Sequence, residues 1–269
     1  MQARCRRLVV FSVQEESCAR PVCSFFFLHF LVLPLLAHAE TVSFPSVAVG
    51  RVAAGPAISA SVYRPAGSGP FPAIIVMHTC GGVDSLTDKW GKRLASWGYL
   101  AIVPDSFGPR GLSNACKGGF SPLERVADVA GALDYLATRP DVIKGKVAAI
   151  GMGHGGSLAV LATQRGFNLG ARGLRGAVGI YPGCNDRQNN IALPLLILSG
   201  EKDDWTPAAA CQALQAPGGS QLEVVVYPGA SHGFDNDQVM HGPVQQGQLP
   251  HGLRLQGRPG RPKSHESVS

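Results

Sequence analysis

Segments far apart in this chain carry residue types suited to acyl transfer. Gly151-Met152-Gly153-His154-Gly155-Gly156 follows the apolar stretch 146–150 and leads into an apolar helical pattern that runs to Leu161. In a strand, Gly-x-?-x-Gly, helix arrangement, a sharp turn strains the middle residue and exposes its side chain. Chemistry there requires Ser or Cys, an oxygen or sulfur beside a histidine base. The middle residue is Gly153, which has no side chain. An ordinary Gly-rich turn or a phosphate-binding loop would also read this way, but neither accounts for the segments that follow.

The second segment is Gly200-Glu201-Lys202-Asp203-Asp204-Trp205-Thr206-Pro207. A carboxylate here could orient a histidine and stabilise its imidazolium. Asp203 is the candidate, with Asp204 read as a helix cap before Pro207; taken alone, both could be caps. The third segment is Tyr227-Pro228-Gly229-Ala230-Ser231-His232-Gly233-Phe234, where His232 is a candidate general base. Alone it would pass for a surface histidine. The order sharp turn (the nucleophile elbow), Asp, His is that of α/β-hydrolases. The fourth segment is Met77-His78-Thr79-Cys80-Gly81-Gly82. The backbone N–H of Thr79 or Cys80 could give one oxyanion donor and that of His154 the other, each worth about 2.7–4 kcal/mol in a transition state. The alternative is a Gly-rich turn with a disulfide at Cys80. As substitutes for the missing nucleophile, Ser157 stands one helical turn too far on, Ser231 lies in another loop, Cys80 has better uses and His154 points elsewhere.

These loops need a scaffold. Thr41–Val49 and Ala57–Tyr63 alternate as an antiparallel hairpin. Ala73–Met77, Leu100–Val103, Lys146–Ile150, Gly176–Ile180, Leu193–Leu198 and Leu222–Tyr227 are apolar runs suited to strands buried on both faces. Between them lie helical patterns at Leu86–Ser96 (Ser85 and Asp88 forming a capping box), Pro122–Ala137 (Ser121 cap, Glu124 completing the box) and Pro207–Leu214. Alternating strands and helices predict an α/β fold, a mostly parallel central sheet with helices on both faces. Ligands then bind beyond the carboxyl ends of the strands, where every segment above falls.

From about Pro72 to Phe234 the chain resembles the dienelactone hydrolase family of α/β-hydrolases. Its elbow resembles the family's Gly-x-(Cys/Ser)-x-Gly-Gly, and Gly-Glu-Lys-Asp-Asp-Trp-Thr-Pro and Ser-His-Gly-Phe resemble the acid and histidine segments. The resemblance implies an eight-stranded sheet, no metal or other cofactor, and hydrolysis of small esters or lactones through an acyl-enzyme. It carries Asp203 and His232 over as triad members and leaves Gly153 without a counterpart. On this map Cys80 and Cys116 lie in loops at the ends of adjacent strands, and Cys184 and Cys211 follow neighbouring strands. That favours the disulfides Cys80–Cys116 and Cys184–Cys211 over four free thiols. Trp90, Phe107 and Trp205 are pocket-lining or core residues.

The ends differ from the middle. Residues 1–39 carry Arg4, Arg6 and Arg7, an apolar run over 25–36 and an Ala37-His38-Ala39 cleavage pattern, so they read as a signal peptide. An uncleaved anchor is the alternative. The hydrolase domain is placed at 40–237 and a disordered tail at 238–269, where a final covering helix is missing. Without its basic ends the chain is nearly neutral, which argues against a nucleic-acid partner. A periplasmic or secreted protein without stable membrane insertion is expected. With glycine at 153, its activity is expected to be weak or absent; the alternatives are a non-catalytic binding protein or the product of a decayed gene.

Overall fold

The computed structural model describes residues 39–184 and 190–236. The chain runs β1 (Glu40–Phe44), β2 (Ile58–Tyr63), β3 (Phe71–Met77), α1 (Ser85–Ser96), β4 (Leu100–Asp105), α2 (Val126–Thr138), β5 (Val142–Met152), α3 (His154–Ala162), β6 (Leu174–Ile180), β7 (Leu195–Gly200), α4 (Ala208–Gln212) and β8 (Leu222–Tyr227). The eight strands form one sheet in the order β1-β2-β4-β3-β5-β6-β7-β8. β2 is antiparallel to both β1 and β4, and the pairings from β4 through β8 are parallel. This is the mixed α/β sheet that the alternating pattern predicts.

Period-two alternation sorts the strand residues between two cores. Ile75 and Met77 of β3 face the side covered by α2 and α3, with Val126, Leu133 and Leu158. Ile74 and Val76 face α1, with Leu86 and Leu94. With helices on both faces, the central strands must be apolar throughout, and Ile74, Ile75, Val76 and Met77 are all buried. Gly155 lets α3 lie close to β3. A Cβ there would overlap the Met77 carbonyl oxygen and stand 2.7 Å from that of His78.

Several boundaries move. The α1 cap is Asp84, not Ser85: Asp84 Oδ1 accepts from Leu86 N at 3.0 Å and Thr87 N at 3.1 Å, and Asp84 N donates to Thr87 Oγ1 at 3.0 Å. The Asp–Thr pair completes the box one residue earlier than the Ser–Asp pair would. Ser121 and Glu124 do form their box. The first turn after them, Pro122–Arg125, is 3-10 rather than α. β5 extends beyond both ends of its apolar run, because Lys144 and Gly145 (φ 70°) interrupt the sequence pattern but not the strand. The expected signal peptide, tail and missing final helix lie outside the described residues. No helix among the described residues is long and apolar enough to cross a membrane.

Candidate active site

The turn between β5 and α3 places Gly153 at φ 52°, ψ −111°, a left-handed conformation that costs glycine little and other residues more. Gly153 N donates to Ile180 O, and Ser157 N to Gly153 O, both at 2.9 Å. A Cβ built on Gly153 would stand 3.5 Å from His232 Nε2 and 3.5 and 3.7 Å from two Tyr181 ring carbons. These are ordinary van der Waals contacts, so the turn retains room for a side chain.

His232 follows β8, and its Nδ1 lies 2.9 Å from Asp203 Oδ2. Asp203 follows β7, with a side chain wholly removed from solvent. Its Oδ1 accepts from Trp205 N at 3.1 Å and Thr206 N at 2.8 Å, and Oδ2 lies 2.8 Å from the Thr206 hydroxyl. Asp204, expected to cap the next helix, does not: α4 begins after Pro207 with no side-chain cap, and Asp203 takes the loop's N–H groups instead. Because a carboxylate only accepts, the network assigns the imidazole proton to Nδ1 and leaves the Nε2 lone pair facing residue 153. Thr206 Oγ1 also lies 3.1 Å from His232 Nδ1 and 3.2 Å from Tyr181 O, tying all three loops together.

Two aromatic rings flank the imidazole, Tyr181 at 4.6 Å and the largely exposed Trp205 at 5.1 Å between centroids. The Tyr181 hydroxyl donates to Asp235 Oδ1 at 2.6 Å, and Trp90 Nε1 donates to Asp235 Oδ2 at 2.8 Å. Burial, reinforced by the Asp235 charge, pushes the Tyr181 phenol well above its ordinary range and keeps it a neutral donor. Of the three aromatics left between pocket and core, Trp90 reaches the site through Asp235 and Trp205 lies against His232. Phe107 is buried beneath, edge-on to His78, His154 and Phe120.

Arg125, which is 1% exposed, bridges the loop after β3, which carries the oxyanion candidates Thr79 and Cys80, to the third candidate, His154. Arg125 Nη1 lies 3.0 Å from His78 O and 2.9 Å from His154 Nδ1. The His78 carbonyl shares a planar trans peptide with the Thr79 N–H, so holding one orients the other. His154 opens α3, and its N–H has no intrahelical acceptor. Both histidines are held neutral. Burial, aided by the Arg125 charge, lowers His78 to about 2 and His154 to about 4. Burial likewise lowers Arg125 to about 9. Both favoured disulfides are formed, Cys80–Cys116 and Cys184–Cys211, with Cα–Cα separations of 4.8 and 5.0 Å. The first ties the β3 exit to the loop after β4, where Ala115 N also donates to Cys80 O at 2.8 Å. Ser157 Oγ donates to Gly153 O at 3.4 Å and accepts from Gly183 N at 2.8 Å, so the hydroxyl is already engaged with backbone groups.

Sequence reading missed Thr206, Tyr181, Asp235 and Arg125. Thr206 and Asp235 lie within or beside the quoted motifs, and hydrogen-bonding side chains next to a candidate triad were the available signal. Tyr181 adopts φ 39°, and Arg125 looked like any polar residue in a first helical turn; neither left a local trace.

The described site can be set beside known proteins. The family model for the dienelactone hydrolase family matches residues 58–247, and the chain belongs to that family. A Yersinia pestis protein named "Putative carboxymethylenebutenolidase" is 30% identical over 195 residues, 63% of this chain and 71% of that protein. The carboxymethylenebutenolidase of Pseudomonas putida is 26% identical over 185 residues, 61% of this chain and 75% of that one. An esterase structure from Pyrobaculum calidifontis superposes with a TM-score of 0.55 at 22% identity, covering 73% of this chain and 78% of that one, which supports the α/β-hydrolase fold.

Proposed function

We propose that the chain is a carboxylic ester or lactone hydrolase scaffold in which Asp203 and His232 are the acid and base of a triad, Gly153 occupies the nucleophile position, and turnover is therefore weak or absent. The observation that carries this reading is the 3.5 Å between His232 Nε2 and the Cβ position of residue 153. A hydroxyl or thiol one bond further out would come within hydrogen-bond reach of the base. Thr79 or Cys80, with His154, supplies the oxyanion donors, and the substrate is a small-molecule ester or lactone. The fully satisfied Asp203 carboxylate speaks against a decayed gene product, since a buried carboxylate without partners would be costly. The two disulfides support a periplasmic or secreted location with 1–39 as export signal.

Gly153→Ser and Gly153→Cys test this reading. Either should gain hydrolysis of a short-chain aryl ester, at a stability cost of about 1–3 kcal/mol for a side chain at this backbone geometry. A fluorophosphonate should label the Ser variant and leave the native chain unlabelled. Two folded variants without turnover or labelling would refute the site assignment.

A further inference from the structure

Resting on that site assignment, we infer that the native chain hydrolyses activated esters directly, with a water molecule taking the position of the missing nucleophile and no acyl-enzyme forming. The loss of the side chain at 153 removes the attacking atom but not the base. His232 keeps its 2.9 Å contact with Asp203, and Asp203 keeps its contacts to Trp205 N, Thr206 N and the Thr206 hydroxyl. The Nε2 lone pair faces residue 153, where glycine leaves the space a Cβ would fill. A general base in this state can take a proton from water as it would from a hydroxyl side chain.

The step balances. Water oxygen bonds to the acyl carbon, its proton passes to His232 Nε2, and the imidazolium is held by Asp203. The carbonyl electron pair moves onto the oxygen, which accepts hydrogen bonds from the backbone N–H of His154 and of Thr79 or Cys80. Collapse of this intermediate breaks the bond to the alkoxy oxygen, which takes the proton back from Nε2. One ester and one water give one carboxylic acid and one alcohol, and the protein ends as it began.

Geometry also limits the rate. An unbonded water stands about 1 Å further from the Gly153 Cα than a bonded hydroxyl would, and a displacement of that size costs about 10²-fold. The base should contribute at the low end of its usual range of about 10²–10⁴-fold.

The experiment compares native protein, His232→Ala, Gly153→Ala and Gly153→Ser on a short-chain aryl ester. Native protein should turn over slowly, without a burst of alcohol release. His232→Ala should lose about 10²-fold and regain rate with added imidazole, which a merely structural histidine would not show. Gly153→Ala should lose a similar factor, because its Cβ takes the water's place. His232→Ala covers the case in which Gly153→Ala misfolds, since it leaves the strained turn untouched. A native rate equal to that of His232→Ala, a burst, or no rate above buffer would overturn the inference. Labelling of Gly153→Ser by the fluorophosphonate separates the outcomes: if it labels, the site assignment stands and the water step alone has failed; if it does not, the assignment has failed first.

Discussion

Acid should destabilise this protein through two histidine side chains, those of His78 and His154, whose rings take no part in the proposed chemistry. His78 Nε2 accepts from Ser106 N at 3.2 Å while Nδ1 donates to Thr79 O at 2.7 Å. His154 Nε2 donates to Phe120 O at 3.0 Å while Nδ1 accepts from Arg125. A second proton on either ring would face an existing donor, and Arg125 adds its charge to both. Each folded-state value therefore lies below the unfolded value of about 6.5, at about 2 for His78 and about 4 for His154. The unfolded chain takes up protons that the folded chain refuses, so stability is full above about pH 6.5 and falls as pH falls, for His154 down to about 4 and for His78 further, to about 2. At pH 4.5 the wholly buried His78 should cost about 3 kcal/mol, and the partly exposed His154 somewhat less. Urea unfolding at pH 7.5 and 4.5, for native protein and for His78→Gln with His154→Gln, measures the effect as a difference in pH slope. The variant should lose less stability than native protein between the two pH values, by about 3–5 kcal/mol on these values. Equal slopes would show that these rings accept protons in the fold and that the neutral network is misassigned.

Two further substitutions probe the scaffold. Gly155→Ala should destabilise by about 3 kcal/mol or more in thermal or urea unfolding, because the new methyl meets the Met77 carbonyl, backbone that cannot step aside. Arg110→Met should cost about 3–5 kcal/mol: Arg110 pairs with Asp128 through two bonds of 2.9 and 3.0 Å, and Asp128 would be left charged in a nearly dry environment.

Much of this architecture was legible because its signals are local. Uninterrupted apolar runs such as Ala73–Met77 announce strands covered on both sides, and β8 matches its run, Leu222–Tyr227, residue for residue. The segments bearing Gly153, Asp203, His232 and Cys80 could be placed at one edge of the sheet because each follows a strand. The strand ends were harder: β5 begins at Val142, four residues before the expected run that starts at Lys146, and takes in Lys144 and Gly145. The α1 cap shifted because Asp84 and Ser85 both have capping side chains and only the backbone decides between them. Least legible were contacts made across the fold. Arg125 joins His78 to His154 over separations of 47 and 29 residues, and Asp235 joins Trp90 to Tyr181. Such pairings carry no spacing rule.

The room left at residue 153 has a genetic consequence. Glycine codons that end in a pyrimidine differ from codons for serine and for cysteine by one base. On the proposed assignment, with Asp203 as acid and His232 as base, the chain would lie a single point mutation from a nucleophile. A population carrying this gene under selection for ester hydrolysis would then have a short route to covalent catalysis, through a substitution for which the fold already holds a place.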